Sequence, residues 1–152
     1  MSPARKKSKK KNKRTKKRAA STSVAQRNTV APLPRKKEMQ YLSWDVIEKE
    51  EVNPLLHRHF VVGNQSMLAR VLLKKGCVVP EHSHVNEQIT FIAEGALKFW
   101  IDGQVIVVRA GEVLVIPANM PHKAEAVEDT VDFDVFCPPR ADWIRKTDRY
   151  LR

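Results

Sequence analysis

The segment GCVVPEHSHVNEQITFIAEG, residues 76–95, holds the densest group of chemically informative side chains in the sequence. It contains His82-Ser83-His84 and, four residues further on, Gln88. Residues two apart on an extended strand project from the same face, so we expect the two imidazoles to reach one metal ion together. Glu87 is one position from Gln88 and is therefore expected on the opposite face of its strand.

Short β-strands are predicted on both sides of this segment. The clearest turn between them is Asp102-Gly103, a two-residue hairpin turn that needs positive φ. One helix is predicted over residues 140–147, anchored by Trp143 and Ile144. The predicted strands are Leu55–Val62, Ser66–Leu73, Gln88–Glu94, Ala96–Ile101, Gln104–Arg109, Glu112–Ile116, His122–Val127 and Thr130–Phe136. Short strands at regular spacing predict an all-β fold, a single-domain sandwich or barrel.

The positive charge of the chain is concentrated in its first quarter. Residues 1–38 hold 15 of the 28 Lys and Arg residues and one acid, so they carry +14 and residues 39–152 carry −3. Residues 5–18 contain no large apolar side chain, and such a segment cannot offset the entropy of ordering by burial. We therefore predict a disordered Lys/Arg-rich N-terminal tail over residues 1–38 and a folded domain over residues 39–152.

Three interpretations of the tail stay open. It is a solvated extension without a function, or it results from an upstream mis-called start, or residues 5–18 contact nucleic acid or another polyanion, in which case binding weakens steeply with salt. No apolar run approaches the roughly 18 residues that span a membrane. No apolar segment follows the basic N-terminus as it would in a secretory signal. The sequence therefore predicts a cytoplasmic protein without membrane contact.

A second segment extends the metal-binding pattern. The His-x-His pair alone fits two exposed loop histidines as well as a metal site. The spacings Gly76-x5-His82-x-His84-x3-Gln88-x6-Gly95 and Gly111-x5-Pro117-x4-His122 resemble the paired motifs of the cupin superfamily. This resemblance implies a cupin jelly-roll barrel with one divalent transition metal on His82, His84, Gln88 and His122. Mn, Fe, Ni, Zn and Cu are not distinguished by such a donor set.

The sequence departs from the cupin pattern at two positions. Gln88 stands where glutamate is common, and Asn119 stands where glycine is frequent. A neutral amide leaves the site one charge unit more positive than a glutamate would, which strengthens the Lewis acidity of a bound ion. It also removes a carboxylate that would serve as a base.

The last predicted strand alternates apolar and acidic residues. Val131, Phe133 and Val135 share one face, and the other face carries Asp132, Asp134 and Phe136. Parity alone favours an apolar triplet in the core and acids in solvent.

A closer resemblance gives this strand another role. His82-Ser83-His84, Glu87-Gln88 and Asp134-x-Phe136-x3-Arg140 together resemble the small cupins of pectin and alginate degradation, which ketonise 4,5-unsaturated uronates released by polysaccharide lyases. The resemblance implies that Asp134 is a general acid or base, Phe136 an apolar wall and Arg140 a binder of the uronate carboxylate. The alternative for Arg140 is a surface salt bridge with Asp142.

The resemblance also implies partners. It implies a small sugar acid as substrate and suggests a homodimer, in which the apolar segment Tyr41–Ile47 would be an exchanged or packed edge strand. A non-catalytic metal- and sugar-binding sensor is the alternative function. Another cupin reaction, by a dioxygenase or a sugar isomerase, is also open, because one fold hosts many activities.

Overall fold

Ten β-strands make up most of the part of the chain that the structure describes. The computed structural model describes residues 39–152. The strands are β1 (Glu50–Asn53), β2 (Leu56–Val62), β3 (Met67–Leu73), β4 (Val78–His82), β5 (Glu87–Glu94), β6 (Ala96–Ile101), β7 (Gln104–Arg109), β8 (Val113–Ile116), β9 (His122–Ala126) and β10 (Thr130–Cys137). The all-β prediction is confirmed. The predicted tail over residues 1–38 and its polyanion contact lie outside the described residues.

The strands form two antiparallel sheets. One has six strands in the order β1-β2-β3-β10-β5-β8, and the other has four in the order β4-β9-β6-β7. Met67 and Ile92 of the first sheet belong to the same buried cluster as Phe99 and Ala124 of the second. Two packed antiparallel sheets around one core are the jelly roll that the resemblance implies.

The hairpin turn at Asp102-Gly103 is confirmed. Asp102 has φ 49°, Gly103 has φ 70°, and the flanking Ile101 and Gln104 are paired across β6 and β7. Positive φ at both central residues is the geometry of the tight hairpin turn whose twist matches that of the strands.

The sequence does not predict β1 and β4, which both lie at sheet edges. β1 has the polar sequence EEVN, and β4 contains Pro80, which cannot donate to a strand ladder and is tolerated at an edge. Tertiary pairing rather than a local strand pattern forms these two strands. The expectation of an edge strand at Tyr41–Ile47 is wrong, because this segment contains a 3₁₀ turn at Trp44–Val46.

The predicted helix is shorter than expected. A single helical turn, α1 (Ala141–Ile144), is followed by a 3₁₀ turn at Arg149–Leu151. Trp143 is buried, and Ile144 packs against the core, so the two predicted anchors are confirmed. Neither α1 nor any other helix within residues 39–152 has the length and apolar character needed to cross a membrane.

The face of β10 that points into the core is the acidic one, so the interpretation from parity is wrong. Asp132, Asp134 and Phe136 are 4%, 5% and 1% exposed, whereas Val135 is 37% exposed. Acidic side chains are tolerated inside because polar side chains of the neighbouring strand β5 donate hydrogen bonds to Asp134. This inversion places carboxyl groups between the two sheets.

Gly95, which joins β5 to β6, provides a test of the packing. It has φ +77°, and a Cβ atom there would collide with the backbone carbonyl oxygen of Asp129. Gly111 has a similar φ of +86° with open space around it, so it is the matched control. We expect Gly95→Ala to lower the free energy of unfolding by about 1–3 kcal/mol more than Gly111→Ala. Urea unfolding of both variants measures the difference, and equal losses would contradict the close approach.

Candidate metal centre

Both sheets contribute side chains to one site. His82 ends β4, His122 begins β9, and the two residues are paired directly across the four-stranded sheet. Gln88 lies on β5 of the six-stranded sheet with its side chain buried, and the neighbouring Glu87 is exposed as predicted. His84 lies beyond the end of β4, so strand parity is the wrong reason for its approach to His82. A loop between the sheets brings it there.

The three imidazoles converge. One ring nitrogen from each of His82, His84 and His122 lies within 4.8 Å of those of the other two. The ring centroids are 4.3 Å apart for His82 and His122, and 5.3 Å apart for His84 and His122. The side-chain oxygen Oε1 of Gln88 lies 3.1 Å from Nε2 of His84. The structure therefore brings together all four residues that the sequence singles out as ligands.

Asn119 holds the loop that carries His84. Its backbone N–H donates to the carbonyl oxygen of His84 at 2.7 Å. Asn119 has φ 64°, a left-handed conformation that glycine adopts most easily and that asparagine tolerates better than most residues. The departure from the cupin pattern at this position therefore keeps the backbone geometry.

Each imidazole is oriented by its own backbone. The Nδ1 atoms of His82, His84 and His122 lie 2.8–3.0 Å from backbone carbonyl oxygens, those of Pro80, Asn86 and Met120 respectively. A carbonyl only accepts hydrogen bonds, so Nδ1 carries the proton in each neutral ring. The Nε2 lone pairs are then free to bind a metal, which is how metal-binding histidines are usually fixed.

Gln88 is oriented just as firmly. Its side-chain NH₂ group donates to Thr90 Oγ1 at 2.9 Å and to Asp134 Oδ1 at 2.8 Å. Its oxygen consequently faces the Nε2 atom of His84. Both of these atoms present lone pairs, and two lone pairs at 3.1 Å are stabilised by a cation or a hydrogen-bond donor beside them.

A proton does not fill this role at neutral pH. Burial lowers the pKa of His84 to about 4, and the positive charge of Arg140 adds to the shift. Burial and the neighbouring His122 likewise lower the pKa of His82 to about 4. Neutral imidazoles are the form that binds metal. The donor set of three imidazole nitrogens and one amide oxygen therefore fits a divalent transition metal ion.

The second group of predicted site residues lines a cavity beside the metal-binding side chains. Asp134, Phe136 and Arg140 are all buried and border it together with His82, His122 and Gln88. The ring of Phe136 meets that of His84 edge to face, with centroids 5.6 Å apart. Phe136 thus stands as an apolar wall beside the imidazoles.

Arg140 is buried and forms an ion pair with Asp142, which is the sequence-based alternative to binding a uronate carboxylate. Its Nε and Nη2 atoms donate to the two carboxylate oxygens of Asp142 at 2.9 and 2.7 Å. Nη2 also donates to the hydroxyl of Tyr150 at 2.8 Å. The planar edge that would clamp a uronate carboxylate is therefore already used, and Nη1 is the nitrogen left for a ligand.

Two cavity residues are missed by the sequence interpretation. Asp132 borders the cavity on the same face as Asp134, and its Oδ1 atom has no hydrogen-bond partner among the described residues. The alternation of residues along β10 places Asp132 on the same face as Asp134 and would have identified Asp132 as a cavity residue. Tyr150 stacks on His82 with ring centroids 4.3 Å apart and planes inclined by 21°. No local pattern indicates Tyr150, because the chain reaches the site only by folding back after α1.

Metal binding can be tested with histidine variants of metal-free protein. We expect the wild-type chain to bind one equivalent of a divalent transition metal, and His122→Ala to bind it more than about 100-fold more weakly, since a direct ligand is lost. His57→Ala is the control, because His57 lies outside the cluster and contacts Glu51. Calorimetric titration measures both. Equal affinities of the two variants would contradict the assignment.

Comparison with known proteins agrees with this geometry. The family model Cupin_2, described as a cupin domain, matches residues 69–137. The pectin degradation protein KdgF of Dickeya dadantii (strain 3937) is 26% identical over 108 residues, which cover 69% of this chain and 98% of that protein. The uncharacterized protein MJ1618 of Methanocaldococcus jannaschii is 29% identical over 87 residues, 57% of this chain and 69% of that protein.

The solved structures give the same result. KdgF from Halomonas sp. superposes with a TM-score of 0.66 at 25% identity, over 70% of this chain and 99% of that one. The similarity of both KdgF proteins extends over nearly their whole length. The segment that matches the cupin domain model, residues 69–137, contains His82, His84, Gln88 and His122, all four of the converging residues.

Proposed function

We propose that this chain is a metal-dependent enzyme that ketonises 4,5-unsaturated uronates, the sugar acids released by polysaccharide lyases. The observation that carries the proposal is the buried carboxyl group of Asp134, which is hydrogen-bonded to Gln88 inside the cavity that His82 and His122 border. The similarity to a pectin degradation protein over 98% of its length supports a uronate as the substrate class.

The reaction is an isomerisation and needs no oxidant or reductant. The proton on the hydroxyl of carbon 1 leaves, and the bond between carbon 1 and the ring oxygen breaks to form an aldehyde. The ring oxygen becomes the ketone at carbon 5, and a proton is added to carbon 4. The protein must therefore accept one proton, deliver another and hold the acid in place.

A divalent ion, when bound, would supply Lewis acidity that polarises oxygen atoms of the substrate. Gln88 adds no negative charge and cannot exchange a proton, so proton transfer falls to other groups. Asp134 is the nearest candidate, since its Oδ1 atom accepts hydrogen bonds from Gln88 at 2.8 Å and from Thr90 at 2.6 Å. Oδ2 of Asp134 is then the oxygen that carries an exchangeable proton.

The environment of Asp134 favours a protonated carboxyl. Burial raises the pKa of Asp134, against the opposing effects of its hydrogen bonds from Thr90 and Gln88. Burial and the adjacent charge of Asp134 raise the pKa of Asp132 well above its usual range. Two buried carboxyls side by side cannot both ionise readily. The pair thus holds a proton more tightly than exposed carboxyls do, and this proton is the one we assign for delivery to carbon 4.

Arg140 and Tyr150 would position the uronate carboxylate. Nη1 of Arg140 is one donor, and the Tyr150 hydroxyl is a second, because it accepts from Arg140 and keeps its own proton free to donate. The Arg140 guanidinium is itself fixed by Asp142 and by the ring of Phe136, whose centroid is 5.2 Å away. A fixed cation loses little entropy when it binds an anion.

Substrate entry requires movement at the cavity mouth. The cavity volume is about 50 Å³. That is room for an ion and a few waters, whereas pockets for small organic ligands run from about 300 Å³ upward. Tyr150 borders the cavity and stacks on His82, so its displacement would enlarge the cavity beside that imidazole.

Asp134→Asn tests the proposed proton transfer. Metal-loaded wild-type protein is expected to accelerate the loss of absorbance of the conjugated double bond in unsaturated galacturonate. Asp134→Asn keeps the shape of the side chain without the transferable proton, so turnover should fall by about 100-fold or more while metal content persists. Asp45→Asn, at an exposed position, is the control and should keep full activity.

Three results would contradict the proposal. The first is a rate with metal-loaded wild-type protein that does not exceed the rate in buffer for any of several metals. The other two are full turnover by Asp134→Asn, or a loss of turnover in Asp45→Asn as large as that in Asp134→Asn. Saturable binding of the sugar acid without turnover would indicate the sensor function instead.

A further inference from the structure

A buried cluster of ion pairs lies outside the metal centre. Arg58 of β2 is fully buried and donates from Nε to Glu50 at 2.8 Å and from Nη1 to Asp148 at 2.7 Å. Arg152 donates to the same two carboxylates at 2.7 and 3.1 Å. Two cations face two carboxylates, so the cluster is electrically balanced and offers no free charge to a ligand. Its members instead connect β1 and β2 to residues 148–152.

A buried cluster of this kind fixes geometry more effectively than it adds stability. Removing two charges from water costs free energy that their mutual attraction often only balances. Displacing one partner, however, leaves an uncompensated buried charge, which is strongly unfavourable. The side chains of Arg58 and Asp148 are both 0% exposed, so this penalty applies to their pair in full. The pair therefore restricts where Asp148 can lie.

The segment that the cluster holds carries Tyr150. Residues 145–152, which we call the anchored segment, contain no regular element other than the 3₁₀ turn at Arg149–Leu151. A single turn of this type has too few hydrogen bonds to fix its own position. The placement of Tyr150 therefore depends on the contacts that the anchored segment makes with the rest of the chain.

The anchoring contacts lie on both sides of Tyr150. Asp148, two residues before it, is held by Arg58. The backbone carbonyl oxygen of Leu151, directly after it, accepts a hydrogen bond from the side chain of Asn53 at 2.9 Å. Fixing the backbone before and after Tyr150 fixes the direction in which its side chain leaves the backbone.

Arg58 also reaches the site through Trp143. Its Cζ atom lies 4.2 Å from the ring centroid of Trp143, and Cζ of Arg140 lies 5.0 Å from the same ring. The ring of Phe136 meets that of Trp143 with centroids 5.1 Å apart. A guanidinium and an indole in such contact attract and orient each other. Arg58 thus supports Arg140 and the apolar wall through one neighbour, and Tyr150 through another.

We propose that Arg58 and Asp148 are positioning residues, which hold Tyr150 on His82 and beside Arg140. This rests on the proposed function, in which Tyr150 and Arg140 bind the substrate carboxylate. The residues that line the cavity include neither Arg58 nor Asp148, so both act through other side chains. Donors that are fixed before binding lose less entropy when they take up an anion. Loosening them should therefore weaken substrate binding more than it slows the chemical step.

The position of Tyr150 can be measured without an activity assay, because the chain has two tyrosines and the other, Tyr41, is 96% exposed. Fluorine NMR of the full-length chain labelled with fluorotyrosine should separate them, since the ring of Tyr150 is stacked on that of His82. Asp148→Asn keeps the shape of the side chain without its charge. The Tyr150 signal should then move towards that of Tyr41, which should itself not move.

Glu48→Gln is the matched control. Glu48 pairs with Lys146 of the anchored segment at 3.4 Å, but both side chains are exposed. Exposed ion pairs contribute little, so the same acid-to-amide change should leave both tyrosine signals in place. Arg152→Gln guards against loss of folding, because Arg152 is 32% exposed and its removal is a milder change. It should move the Tyr150 signal in the same direction and less far.

Steady-state kinetics with unsaturated galacturonate provide a second measurement. Asp148→Asn should raise KM about 10-fold and change kcat by less than about threefold, because the lost carboxylate binding is common to the ground state and the transition state. A merely structural role would instead lower kcat through loss of active protein and leave KM unchanged.

The inference and the proposed function fail in different ways. A Tyr150 signal at its wild-type position in folded Asp148→Asn and Arg152→Gln would overturn the inference, as would an equal shift in Glu48→Gln. A fall in kcat without a rise in KM would overturn it as well. Absence of turnover in wild-type protein would contradict the proposed function alone, and the position of the Tyr150 signal would then decide the positioning role by itself.

Discussion

The side-chain oxygen of Gln88 faces the Nε2 atom of His84 at 3.1 Å, and the interpretation of the whole site depends on this contact. The amide cannot turn over without losing the hydrogen bonds that its NH₂ group makes to Thr90 and Asp134. The imidazole cannot change its tautomer without losing the carbonyl of Asn86. Two acceptors fixed face to face inside a protein create a demand for positive charge. The two other imidazoles add lone pairs at the same place, which makes a metal ion the natural occupant.

The inverted polarity of the six-stranded sheet follows from the same constraint. Gln88 needs inward-facing partners, and β10 provides Asp134, which lies directly opposite Thr90 on the neighbouring strand and accepts a hydrogen bond from Gln88. Placing these polar groups inside sends the alternate residues Ile89 and Val135 outward. The interior polar network and the exposed apolar side chains of Ile89 and Val135 are thus two consequences of one strand alternation.

The sequence predicts much of the fold because the local pattern of apolar and turn residues identifies most of the strands. All eight predicted strands begin within one residue of the observed strands and end at the same residue or one away, such as β6 at Ala96–Ile101. β1 and β4 are not predicted because they are short, polar or proline-containing edges that form only when a partner is present. Glu50 illustrates this, since its buried carboxylate is paired with Arg58 of β2 and with Arg152, both distant in the sequence from a local strand pattern.

In the candidate site, too, some residues are identified from the sequence and others depend on tertiary contacts. His82, His84, Gln88 and His122 are identified from spacing and family resemblance, yet the reason given for pairing His82 with His84 fails because His84 is not on a strand. The sequence suggests an ion pair of Arg140 with Asp142 as the alternative to uronate binding, but the burial of Arg140 and the bidentate geometry of the pair depend on α1. The approach of Tyr150 to His82 depends on how the chain folds back after that helix, which no local pattern encodes.

X-ray absorption spectroscopy of the metal-loaded full-length chain tests the central claim most directly. Three imidazole nitrogens at about 2.0–2.1 Å and an oxygen donor at a similar distance are expected around the ion. The oxygen contribution from the protein should be lost in Gln88→Ala. A spectrum with fewer than three imidazoles, or with sulfur at about 2.3 Å, would contradict the account.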